Sequence, residues 1–78
     1  MLVYKINDQK LFPNATEIYA DEKASISDGD PVVATIGNSL VCRLAYKTSE
    51  GYKLTHPDYS DISVPEVIGR VVRYAIPA

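Results

Sequence analysis

The 78-residue chain has one cysteine, one histidine and no tryptophan. A single cysteine excludes an intrachain disulfide and a multi-cysteine zinc site. One histidine without a second soft ligand is thin material for a metal centre. Lys and Arg form no cluster and the net charge is −2, so the phosphate contacts on which nucleic-acid binding rests are lacking. Hydrophobic runs are short. None approaches the roughly 18 apolar residues of a membrane span, and "MLVYKINDQK" lacks the basic stretch and apolar core of a signal peptide. These absences point to a cytoplasmic protein with no membrane partner, no metal and no cofactor. The "NAT" at Asn14–Thr16 matches a glycosylation acceptor, which without a secretory signal carries no weight.

What is present is ordinary for a folded domain: 46% hydrophobic and 23% charged residues. The length fits a single domain, residues 1–78, with a small core that profits from oligomerisation or a larger parent protein.

The patterning is that of strands. "LVYKI" (2–6), "TEIYAD" (16–21), "PVVATI" (31–36), "SLVCRLAYK" (39–47), "YKLTH" (52–56) and "VIGRVVRYAI" (67–76) are β-branched or alternate. Pro13-Asn14, Asp28-Gly29 and Gly37-Asn38 mark turns. Gly37-Asn38 has glycine first, as a type II′ hairpin requires. That register sets Ile36 opposite Ser39, Ala34 opposite Val41 and Val33 opposite Cys42. A second hairpin with Thr48–Gly51 as its loop sets Lys47 opposite Tyr52 and Arg43 opposite His56. "EKASISDGD" is a polar connector with room for one helical turn, and "PDYSDISVPE" is a loop with a short extended piece. The helical template fits no window. The expected architecture is a small, mostly β, antiparallel domain.

Chemistry is harder to place. Cys42 alternates with Arg43, so it should lie on the face away from His56 and form no thiol–imidazole dyad; a free cysteine there is a small hydrophobe. His56, Asp58, Ser60 and Asp61 in "HPDYSD" are close in sequence, but catalytic triads assemble residues from distant segments, and Pro, Asp and Ser are turn formers. Asp28 and Asp30 in "SDGD" read as a turn before a strand.

The order of the pieces is more telling than any one of them. "FPNATEIYAD", "SISDGDPVVATIGNSLVCRL", "GYKLTHPDYSDISV" and "EVIGRVV" follow one another over residues 11–76. Together they resemble the C-terminal domain of LexA, UmuD and phage repressors, a family of self-cleaving peptidases. The resemblance implies a mostly β fold of the LexA C-terminal type and a Ser–Lys dyad. The family's lysine sits in a V-K-R-L segment, here Val41-Cys42-Arg43-Leu44, so Cys42 occupies the general-base position. Its serine lies in a segment corresponding to Asn7–Leu11, which contains no serine. Ser25 and Ser27 fall outside that segment, and Lys5 and Lys10 have no nucleophile to activate. The Ala-Gly dipeptide that the family cleaves is absent. A thiol with an ordinary pKa near 8.5 is a poor base at neutral pH. No catalytic residue is therefore expected.

The resemblance implies a non-catalytic dimerisation or oligomerisation domain of a phage or prophage transcriptional repressor. It would form a homodimer or pair with a related repressor, and DNA would be met only through a separate domain. The short chain ahead of the β region leaves no room for a helix-turn-helix. A stand-alone antagonist that pairs with a repressor is thus an alternative, as is a remnant self-cleaving peptidase or UmuD-like accessory of the SOS response. The expected contact surface is the last strand, through Ile68, Arg70, Val72, Tyr74 and Ile76. Val67, Gly69, Val71, Arg73 and Ala75 alternate with them, and both sets are largely apolar. The same pattern also fits a strand buried on both faces within the monomer.

Overall fold

A computed structural model describes residues 1–77. Ala78, the last residue of the expected 1–78 domain, lies outside the described residues. Seven strands form: β1 (Leu2–Tyr4), β2 (Glu17–Asp21), β3 (Asp30–Ile36), β4 (Ser39–Thr48), β5 (Gly51–His56), β6 (Tyr59–Val64) and β7 (Gly69–Ala75). No helix occurs among the described residues. All seven join one antiparallel sheet in the order β1-β2-β7-β3-β4-β5-β6. With no helix to cover it, the sheet curls, and the apolar residues it buries gather in two clusters.

The two hairpins hold the expected registers. Ile36 lies opposite Ser39 and Val33 opposite Cys42, and Gly37 takes the positive φ of 61° that the turn needs. Lys47 lies opposite Tyr52 and Thr48 opposite Gly51. Gly51 has φ 143°, and a Cβ there would run into the Val64 carbonyl oxygen and Pro65, so the position admits only glycine.

Alternation along β3 and β4 splits their side chains between two clusters. Val33 and Cys42 join Phe12, Ala15, Ile18, Ala20 and Val71. Val32, Ala34, Ala45 and Leu54 form the other cluster. The loop between β1 and β2 closes the first cluster, with Phe12 and Ala15 buried in it and Ile6 and Leu11 against it.

Two elements differ from expectation. The segment after Pro57 is a full strand, β6, rather than a loop with a short extended piece. Its residues Tyr59–Ser63 are exposed, so hydrogen bonding to β5 holds it and burial does not. Hydrophobic patterning carries no signal for such an edge. The connector after Asp21 holds turns instead of a helical turn, because carboxylates take its backbone donors: Lys23 N–H donates to Asp21 and Ser27 N–H to Asp30. The last strand, β7, whose place in the sheet the sequence leaves open, lies between β2 and β3.

The two sides of β7 are unequal. Against β2 it pairs from Glu17–Ala75 to Asp21–Arg70, with a bulge that leaves Val72 as the extra residue. Against β3 it makes two rungs, Val32–Arg70 and Val33–Gly69, plus the Ile68 N–H to the Val33 carbonyl. Pro31, the next residue of β3, has no N–H to donate, and the bulge bends β7 away. Between them opens a groove of about 360 Å³ lined by Phe12, Pro31 and residues 71–74.

Candidate functional site

The one histidine is part of a buried polar junction. His56 ends β5, and its Nε2 lies 2.8 Å from Oδ2 of Asp8, on the β1–β2 loop. The two side chains are 2% and 11% exposed. Asp8 Oδ1 accepts from the Lys10 and Leu11 backbone N–H groups, a turn that an aspartate forms readily. The Asp58 N–H donates to His56 Nδ1 at 3.0 Å. Nδ1 therefore carries no hydrogen, and the proton of the neutral ring sits on Nε2, facing Asp8. Both ring nitrogens are occupied, so the ring has no free lone pair with which to act as a general base. The junction ties the β1–β2 loop to the β5–β6 turn across 48 residues of sequence.

Cys42 is 1% exposed within the first cluster. Burial pushes its pKa up to about 12; the negative charge of Asp8 adds to this and Arg43 opposes it. The thiol is neutral at physiological pH and is neither base nor nucleophile. No hydrogen bond joins it to His56, whose nitrogens are engaged elsewhere.

Arg43, one residue on, is 8% exposed. Its Nη1 donates to the Cys42 carbonyl at 2.8 Å, and its Cζ lies 4.6 Å from the centre of the Tyr59 ring. Tyr59, opposite His56 in the β5–β6 ladder, stacks on that imidazole at 4.9 Å.

The remaining candidates are structural or solvated. Lys10 reaches Asp58 at 3.8 Å in an exposed pair. Lys5 lines an open cleft of about 690 Å³ with Asn7, Gln9 and Asn14. Asp30 accepts from the Ser27 N–H within its own turn, and Asp28 accepts from the Lys47 N–H on β4, tying that turn to the strand. Among the described residues no group of three His, Cys, Asp or Glu is placed to hold a metal ion. No helix among them is long and apolar enough to cross a membrane.

The expected contact residues of the last strand separate into two sets. Ile68 is half-buried against the first cluster, and Arg70 pairs with Asp30 at 3.8 Å. Val72, Tyr74 and Ile76 are 39%, 48% and 54% exposed. The bulge at Val72 breaks strict alternation, so Val71 and Tyr74 turn to the same side, Val71 into the first cluster and Tyr74 onto Phe12 at 5.1 Å. On the other face Arg73 lies over the Tyr19 ring at 4.3 Å.

No known family, curated protein or solved structure matches the chain.

The sequence singled out His56 but not Asp8. Nothing in their spacing links them; the link exists because the β1–β2 loop folds over the first cluster. The one available signal was composition, since a lone histidine beside a turn in a mostly β chain needs a buried partner if it is itself buried.

Proposed function

We propose that this chain is a non-catalytic pairing domain of the LexA C-terminal type, from a phage or prophage transcriptional repressor. The observation that carries the proposal is the exposure of Val72, Tyr74 and Ile76 beside the groove at Phe12 and Pro31. An apolar surface of this kind on so small a domain favours association with a second copy. DNA contact would belong to a separate domain.

The neutral, buried Cys42 supports the non-catalytic half of the proposal. Asp8, in the segment corresponding to the family's serine, stands near enough to raise the thiol's pKa. In the resemblance that motivates this reading, the segment around Asp8 carries no serine and Cys42 stands where the lysine would. The order of strands around the D-G-D turn and the hairpin supports the family resemblance.

Sedimentation equilibrium tests the proposal. The domain should dimerise at micromolar concentration and Tyr74→Ala should weaken the dimer. A parent domain that stays monomeric at high micromolar concentration overturns it.

A further inference from the structure

The structure assigns to Arg43 a second role: we propose that its guanidinium, framed by Tyr59 and His56, is a docking point for a carboxylate supplied by a polypeptide partner.

Burying a guanidinium without a counter-ion is costly, and this chain has ten acidic residues from which to supply one. None does so for Arg43. The ion pairs among the described residues join Lys10 to Asp58 and Arg70 to Asp30, and Asp8 is hydrogen-bonded to His56. Asp8, whose charge is felt at the adjacent Cys42, has its oxygens committed to His56, Lys10 and Leu11.

Arg43 has five N–H donors, and its one protein acceptor is the Cys42 carbonyl. Among the described residues the sole buried side-chain nitrogen or oxygen without a partner is Arg70 Nε. The other Arg43 nitrogens therefore reach solvent, although the side chain as a whole is nearly covered. One nitrogen of the fork is thus bonded to the backbone of its own strand, and the remaining donors have no acceptor among the described residues.

That fork is held in place. Tyr59 lies over the guanidinium carbon, and its ring rests against His56, which is fixed in turn by Asp8 and the Asp58 N–H. A planar, oriented and partly desolvated guanidinium matches the two coplanar oxygens of a carboxylate. Asp8 and Asp58 nearby, and the net charge of −2, disfavour a doubly charged phosphate and select the singly charged group. The open edge of β6, beside Tyr59, offers backbone hydrogen bonds to the extended chain that would bear such a carboxylate.

The test is an NMR titration of the intact domain with acetate, with a short peptide ending in a free carboxylate and with its amidated form. Chloride at matched ionic strength and inorganic phosphate complete the set. Acetate should shift the Arg43 Nε–H and Tyr59 ring signals saturably, and the free-carboxylate peptide should do so at lower concentration than acetate. Arg43→Lys, which keeps the charge but loses the fork, should weaken the response about tenfold, the equivalent of one charge-assisted hydrogen bond. Shifts no larger than those of chloride overturn the proposal, as does an equal response at the exposed Arg73. Phosphate binding more tightly than acetate overturns the choice of carboxylate. Amidated and free peptides binding alike overturn the polypeptide source. Tyr59→Leu serves as a second variant if Arg43→Lys does not fold, and it should weaken acetate binding without abolishing it.

Discussion

Replacing Asp8 by Asn tests the buried junction more sharply than deleting it. The carboxylate accepts at both oxygens, from the Lys10 and Leu11 N–H groups and from His56 Nε2. An amide has one accepting end. With its oxygen toward Lys10 and Leu11, its NH₂ meets the Nε2–H of His56. Turned over, the NH₂ meets the two backbone donors. Moving the ring proton to Nδ1 relieves His56 but sets that proton against the Asp58 N–H. Every arrangement leaves one donor facing another. An unmet buried donor costs about 1–3 kcal/mol, and the charge assistance is lost as well, so Asp8→Asn should cost about 2–4 kcal/mol. Asp8→Ala removes every acceptor from the His56, Lys10 and Leu11 N–H groups and should cost at least as much as the Asn variant. A domain of this length has a total stability of about 4–12 kcal/mol. Urea unfolding followed by circular dichroism reads the loss as a midpoint lower by 2 M or more at a slope of about 1 kcal/mol/M. Two protein concentrations separate it from any change in dimerisation. An Asn variant within about 0.5 kcal/mol of the parent refutes the proton assignment. A cycle with His56→Leu whose coupling stays below the same value refutes the junction itself.

Further outcomes follow from the described geometry. Cys42 should resist alkylation in the native state at pH 8 and react on denaturation; rapid native labelling would contradict its burial. Its raised pKa makes the neutral thiol's contribution fully present below the unfolded value near 8.5 and lost as pH rises toward about 12. Stability should therefore fall across that window, and Cys42→Val should flatten the fall relative to the parent. Gly51→Ala should cost about 1–3 kcal/mol by forcing a side chain into a positive-φ position, read from the thermal midpoint; an unchanged midpoint would mean the turn has another conformation. Tyr74→Ala should weaken the dimer about thirtyfold, or roughly 2 kcal/mol, while normal dimerisation with a much lower melting temperature would place Tyr74 in the core. Incubated at alkaline pH the chain should stay intact, and a discrete fragment in mass spectrometry, lost on Cys42→Ala, would restore the thiol as a nucleophile.

The sequence is most legible where structure is set by neighbours. The β3–β4 hairpin follows from Gly37-Asn38 and the flanking alternation, and the β4–β5 register from a loop that ends at Gly51. β6 escapes because its residues 59–63 are exposed and do not alternate apolar with polar, and its strand character comes from β5. The place of β7 between β2 and β3 escapes because nothing within residues 67–76 specifies a neighbour. The bulge at Val72 then changes which side chains share a face. Alternation predicts one surface from Ile68 to Ile76, whereas the register shift divides it. The Asp8–His56 junction escapes for the same reason as β7: a contact across 48 residues has no local signature.

Placing the strand that comes last in sequence at the middle of the sheet has a consequence for how the molecule is made. Until β7 emerges from the ribosome, β2 and β3 have no common neighbour. The nascent chain can hold the ribbon from β3 to β6, which is built from consecutive hairpins, and separately the short β1–β2 pair. Each presents a raw edge along β2 or β3. A chain truncated between Ile36 and Gly69 would leave both edges open, ready to capture β7 from an intact neighbour. Truncated products should therefore poison the full-length protein by strand exchange, and a β7 peptide added in trans should rescue them.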